Sequence, residues 1–212
     1  MLKKYEVLKK LHQGRIVAVV RGSGADDAVG ISGACIEGGI NSIEVAFTTP
    51  NCLQAFQTLA EGKSGALIGA GTVLDAETAR LSILYGASFV VSPNFSKDIS
   101  EICNLYSVPY LPGCFTVTEM TEALKSGADV VKVFPGSTAG SGFIKSIRGP
   151  LPNLNLMPTG GINLENINDW LDQGSFAVGV GSVLTKGSRK GDYRRVKENA
   201  QRFVSKVNAY LS

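Results

Sequence analysis

Short apolar or β-branched runs alternate along the whole chain with longer amphipathic segments. The runs are IVAVV (Ile16 to Val20), SIEVAF (Ser42 to Phe47), ALIGA (Ala66 to Ala70), FVVS (Phe89 to Ser92), PYLP (Pro109 to Pro112), VVKVF (Val130 to Phe134), LNLMP (Leu154 to Pro158) and FAVGV (Phe176 to Val180), eight predicted strands. They are continuous rather than alternating, the pattern of a parallel sheet with helices on one face and its own side chains packed on the other. The helical segments between them often end on glycine just before the next strand, in EGGINSIEV, YGASFVV, SGADVVKV and QGSFAVGV. Glycine there supplies the left-handed residue that stops a helix. Helix starts are marked by Thr49 before Pro50, Asp75 before AETAR and Ser96 before KDIS, each a candidate N-cap.

Strand ends recur about every 23 residues, close to the shortest length that fits a strand and its return helix. Eight such units predict an α/β fold, a compact (β/α)8 TIM barrel. A doubly wound open sheet is the alternative, in which the eighth strand need not close on the first. Lys3 to Gln13 reads as an extra N-terminal helix across the bottom of the barrel, and Tyr193 to Leu211 as the last outer helix. With 212 residues there is room for one sizeable core, so residues 1–212 are expected to form a single domain.

Composition narrows the classes further. The chain is 44% hydrophobic and 18% charged and has no low-complexity tract, which excludes disordered and fibrous architectures. Its 21 basic and 18 acidic residues are scattered and leave a net charge of +3, too weak and too diffuse to argue for a nucleic-acid partner. The opening MLKKYEVLKKLHQG breaks every apolar stretch with lysine, so neither a signal peptide nor a membrane span is predicted, and a cytoplasmic location is expected. Cys35, Cys52, Cys103 and Cys114 form no CxxC pair, and His12 is the single histidine. Neither a zinc site nor a disulfide framework is indicated, and His12 is expected at the surface of the lead-in helix.

Barrel chemistry gathers at the C-terminal ends of the strands, and polar residues fall there. Lys132 interrupts VVKVF, where a charge is rarely buried unless paired or functional. It is either a desolvated amine that attacks a ketone to form a Schiff base, or a strand-end lysine that snorkels to solvent or pairs with a carboxylate. Glu44 is either the proton shuttle such an imine needs or the ion-pair partner of Lys132 or Arg21, and the two roles are compatible. Arg21 in VVRGSG could fork onto a substrate carboxylate or close a salt bridge at the barrel mouth. Thr72 and Thr159 could orient substrate oxygens or serve as caps, while Pro93 and Phe134 could wall the pocket or fill the core. The loops PTGGI and GVGSVL follow the seventh and eighth strands, where small residues let backbone N–H groups approach an anion. Glycine-dependent tight turns explain either loop alone. Cys114 in LPGCF lies near the top of the fifth strand with no histidine to activate it.

The ordered set IVAVVRG, SIEVAFTTP, IGAGTVL, VVSPN, LPGCFTVTE, VVKVFPG, GFIKSIRGPLPN, MPTGGI and VGVGSVL resembles the 2-keto-3-deoxy-6-phosphogluconate (KDPG) and 4-hydroxy-2-oxoglutarate (KHG) aldolases from about Arg15 to Gly187. The resemblance implies a class I aldolase that uses no metal or other cofactor and assembles as a homotrimer. It puts the Schiff-base lysine on Lys132, the acid–base glutamate on Glu44 and the carboxylate-binding arginine on Arg21. Thr72, Pro93, Phe134 and Thr159 then line the pocket, and Gly160, Gly161, Gly181 and Ser182 hold the phosphate of a phosphorylated 2-keto acid. Some family members carry a second arginine four or five residues after the glutamate, where this chain has Thr48 and Thr49, and Val117 replaces a common proline. The preference among KDPG, its galactonate epimer and KHG therefore stays open. A phosphosugar isomerase or epimerase with Glu44 as base and no Schiff base is the alternative chemistry, and a phosphate-ligand binding protein without turnover is the third.

Overall fold

A computed structural model describes residues 2–62 and 64–212. Helix α1 (Lys3–Gly14) leads into alternating strands and helices: β1 (Ile16–Val20), α2 (Ala25–Glu37), β2 (Ser42–Ala46), α3 (Cys52–Glu61), β3 (Leu67–Gly71), α4 (Ala76–Leu84), β4 (Phe89–Val91) and α5 (Lys97–Leu105). The second half runs β5 (Tyr110–Leu111), β6 (Gly113–Cys114), α6 (Val117–Lys125), β7 (Val130–Val133), α7 (Gly136–Ala139), α8 (Gly142–Arg148), β8 (Asn155–Pro158), α9 (Ile167–Asp172), β9 (Val178–Val180), α10 (Ser182–Thr185) and α11 (Arg194–Leu211).

Every strand pairing is parallel. Six strands form one sheet in the order β5-β4-β3-β2-β1-β9, and three form another in the order β6-β7-β8. The predicted fifth strand is thus two short ones, because Pro112 between them has no N–H to give to a ladder. Its carbonyl still accepts from the Lys132 N–H at 2.8 Å, which joins the two sheets along one seam. At the other seam the Phe176 N–H donates to the Leu156 carbonyl at 2.8 Å, and Thr159 and Gly179 form an isolated parallel bridge.

Strand periodicity of two sorts side chains between two cores. Ile43, Val45, Val131 and Val133 join the large outer cluster under the helices. Val17, Leu67, Phe89, Val91, Leu111, Val130 and Met157 form a second, inner cluster that Val7 and Leu11 of α1 complete. The lead-in helix therefore lies against the inner layer, as its amphipathic pattern predicts. Burial of each such Leu, Val or Phe contributes about 1.5–3 kcal/mol. Glu44 follows Ser42 by two on β2, and Lys132 follows Val130 by two on β7, so the same alternation sends both inward. On α11, Val196, Ala200, Phe203 and Val207 recur at helical spacing and are buried. Asn199 of the same helix donates to the Leu184 carbonyl at 2.9 Å and so ties down α10.

Glycines end the helices where the sequence places them, with φ of 96° at Gly39, 95° at Gly86, 89° at Gly127 and 81° at Gly174. Asp75 and Ser96 cap their helices, each accepting the N–H of the residue three positions on. Thr49 does not. The N-cap of α3 is Asn51, in the left-handed region and without a side-chain bond, and Thr49 turns its hydroxyl elsewhere. Helices α7 and α10, of 4 residues each, are too short to show a helical period in the sequence. His12 is exposed, its Nδ1 3.2 Å from the Phe176 carbonyl. No helix among the described residues is long and apolar enough to cross a membrane.

Candidate active site

Lys132 Nζ lies 3.4 Å from Glu44 Oε1, with the two side chains only 6% and 1% exposed. Strands β7 and β2 belong to different sheets, so this contact spans the interior rather than a ladder. A buried ion pair of this kind is weak evidence for stability, because desolvation cancels much of the attraction. Glu44 Oε2 and Thr159 Oγ1 are both buried and have no hydrogen-bond partner among the described residues. Lys132 Nζ also sits 5.2 Å from the centroid of the Phe134 ring, which lines the same space.

Above the pair opens a cavity of about 470 Å³. Arg21, Thr72, Pro93, Lys132, Phe134, Thr159, Gly160, Gly161, Gly181 and Ser182 all line it. Lys132 is the penultimate residue of β7, and the others follow β1, β3, β4, β7, β8 and β9 at the C-terminal side of the strands. Glu44 is the one predicted residue that does not reach the cavity surface; it stands behind Lys132, fully buried. Arg21 is exposed and forms no ion pair among the described residues, so the salt bridge at the mouth is not made. A larger depression beside α11, lined by Glu198, Arg202 and Lys206, is open and brings no such set of groups together.

Thr72 has φ of 57°. A β-branched residue in the left-handed region stores about 1–3 kcal/mol of strain, which tends to gather at functional sites. It caps no helix; Asp75 does that. Gly160 and Gly161 follow with φ of 100° and 77°, and a Cβ on Gly161 would fall 2.8 Å from Ser137 Cβ. Their amides donate to no other described residue. Gly181 precedes α10, and the first residues of that helix, Ser182 and Val183, line the cavity and donate their N–H groups to no other described residue. The two glycine loops thus present several amide donors to one region, suited to an anionic group.

Sequence reasoning missed Val19, Ile162, Asn163 and Val183 of the lining. Val19 was within reach of it, since the inward parity of Val17 and Arg21 includes it. Gly71 was missed as well: a Cβ there would overlap the Glu44 carboxylate, so this glycine makes the space in which the acid stands.

Comparison with known proteins identifies the family. The family model described as "Aldolase: KDPG and KHG aldolase" matches residues 7–199. The chain is 32% identical over 197 residues to a 2-dehydro-3-deoxy-6-phosphogalactonate aldolase of Escherichia coli (strain K12), covering 92% of this chain and 94% of that protein. It is 33% identical over 204 residues to a 2-dehydro-3-deoxy-phosphogluconate aldolase of Treponema pallidum (strain Nichols), covering 95% and 97%. Among solved structures it is similar to KDPG aldolase from Legionella pneumophila with pyruvate captured as a covalent carbinolamine intermediate, at a TM-score of 0.82 and 28% identity over 88% of this chain and 92% of that one. The chain belongs to the KDPG and KHG aldolase family and is a carbon–carbon lyase of the aldolase type.

Proposed function

We propose that this aldolase cleaves 2-keto-3-deoxy-6-phosphogluconate to pyruvate and D-glyceraldehyde 3-phosphate through a Schiff base on Lys132. The observation that carries the reading is the buried lysine at the cavity floor with a carboxylate 3.4 Å behind it, one of whose oxygens has no partner among the described residues. The pyruvate carbinolamine named for the Legionella relative supports the same chemistry.

In this reading the Lys132 amine adds to the C2 ketone, and the carbinolamine loses water to give a protonated imine. Glu44 takes the proton of the C4 hydroxyl, the C3–C4 bond breaks, and its electron pair moves into the imine to leave an enamine. Glyceraldehyde 3-phosphate departs. Protonation of the enamine at C3 by Glu44 and hydrolysis of the resulting imine release pyruvate and restore Lys132. Arg21 holds the substrate carboxylate, the amides of Gly160, Gly161, Gly181 and Ser182 hold the phosphate, and Thr72, Pro93, Phe134 and Thr159 shape the space between. Interactions with the unreactive phosphate orient the reacting centre.

The reading includes a closed (β/α)8 barrel over residues 1–212, supported by the bonds at both seams, and a homotrimer in the cytoplasm, supported by the family resemblance alone. The galactonate epimer is the second reading for substrate, favoured by the name of the Escherichia coli relative, and cleavage of KHG to pyruvate and glyoxylate is a side activity to be measured with it. Pyruvate release from the three substrates, followed by coupling to lactate dehydrogenase, decides among them. The largest kcat/KM is expected for KDPG. A higher value for the galactonate epimer replaces the assignment, and no release from any of them removes it.

A further inference from the structure

Arg21 is a long exposed side chain that enters no ion pair among the described residues, so its location depends on the backbone that carries it. That backbone is held at two consecutive amides. The Gly22 N–H donates to Thr49 Oγ1 at 3.2 Å, and the Ser23 N–H donates to Asp27 Oδ2 at 2.8 Å. Neither acceptor is loose. Thr49 is 2% exposed and its own N–H is bound to the Ala46 carbonyl at 2.9 Å, at the end of the strand that carries Glu44. Asp27 sits in the first turn of α2, where it also accepts the Ser23 hydroxyl at 3.0 Å on Oδ2 and the Tyr193 hydroxyl at 2.9 Å on Oδ1. The loop itself is tight, since a Cβ on Gly22 would lie 2.6 Å from the Ala28 nitrogen.

We propose that Thr49 and Asp27 are positioning residues that hold the Arg21 loop over the cavity, with Thr49 fixing the arginine relative to the strand that bears Glu44. The inference rests on the reading of Arg21 as a substrate-binding group. An arginine delivered by a pinned loop loses less freedom when substrate arrives, so the clamp acts on binding rather than on bond cleavage. Thr49→Val keeps the shape of the side chain but removes the acceptor and leaves the half-buried Gly22 amide unpaired.

The experiment is steady-state cleavage of KDPG by the full-length protein at a temperature well below every variant's Tm. Thr49→Val is expected to raise KM about tenfold and to change kcat by less than about twofold, the signature of lost uniform binding. Thr49→Ser restores the hydroxyl and is expected to restore KM. Asp27→Ala, which acts on the next amide, is expected to raise KM in the same way and serves if Thr49→Val does not fold. In an Arg21→Ala background, which has a high KM of its own, adding Thr49→Val is expected to raise KM no further, because the two residues act through one contact. An unchanged KM in Arg21→Ala overturns the reading of Arg21 itself. An impaired Arg21→Ala beside an unchanged Thr49→Val, or a Thr49→Val effect that persists in full without Arg21, overturns the positioning role and leaves the reading of Arg21 standing.

Discussion

Gly71→Ala sets one methyl group against the Glu44 carboxylate. The backbone of Gly71 is not in the left-handed region, so alanine fits the conformation and only its Cβ matters. That Cβ would lie 2.5 Å from Glu44 Cγ and 2.8 Å from Glu44 Cδ. Carbons pack comfortably at about 3.5–4.0 Å, so the carboxylate has to retreat by about 1 Å. A displacement of that size at a catalytic group costs about 100-fold in rate, or about 2.7 kcal/mol of transition-state stabilisation. The overpacking itself costs about 1–3 kcal/mol of stability. Gly69→Ala is the control two residues earlier on the same strand, where a Cβ would lie 2.6 Å from Phe89 Cδ2 in the inner apolar layer. Both variants are expected to unfold at lower urea concentration than the parent. Only Gly71→Ala is expected to lose about 100-fold in kcat/KM in the coupled pyruvate assay, with Gly69→Ala within about threefold of the parent. A Gly71→Ala enzyme within about threefold of the parent, or a Gly69→Ala enzyme equally impaired, refutes the placement of Glu44 as the group that moves protons.

Four further outcomes are expected. Glu44→Gln keeps the shape of the side chain but not its proton transfer, and kcat is expected to fall about 100-fold or more with KM changed much less; a change in KM alone would make Glu44 a binding group. Burial pushes the thiols of Cys35, Cys103 and Cys114 up to about 12 and raises that of Cys52, so iodoacetamide at pH 8 is expected to label all four in urea and none in the native protein; rapid native labelling of Cys114 contradicts its burial within β6. Thr116 and Glu119 form a capping box on α6, and the N–H groups of Phe115 and Thr116 with the Thr116 hydroxyl hold the Glu119 carboxyl below the usual carboxylate range against its partial burial. Thr116→Ala is therefore expected to cost about 1 kcal/mol in urea unfolding. The stabilisation from ionised Glu119 is full above the unfolded carboxylate value of about 4.3 and is lost as pH falls through the lower folded value, so the gap between the parent and Glu119→Gln is expected to close in acid.

What the sequence makes legible here is what local physics decides. A lysine inside VVKVF stands out because no apolar run carries a charge without cause, and the period of two sends it inward with no further information. The helix-ending glycines and the caps at Asp75 and Ser96 are set by the chain's own backbone, and they appear where their residue types predict. Failures come where a distant partner decides. Thr49 before Pro50 has every local mark of a cap, but the amide of Gly22, brought alongside by the pairing of β1 with β2, takes its hydroxyl. Pro112 divides a strand because of what the ladder requires of its missing N–H, while its carbonyl still serves the neighbouring β7. Gly71 reads as one small residue among several in IGAGTV until the fold puts Glu44 against it. The lining residue Asn163 carries no signal beyond its place after a glycine pair.

If Lys132 is the nucleophile of an imine reaction, borohydride traps its pyruvate imine as a stable amine. The protein is incubated with pyruvate, reduced, digested and analysed by peptide mass spectrometry beside Lys132→Ala. A reduced pyruvyl adduct is expected on the peptide that contains Lys132 and none on the variant, as that role requires. Absence of any adduct from folded protein, or an adduct on another lysine that persists in Lys132→Ala, contradicts it.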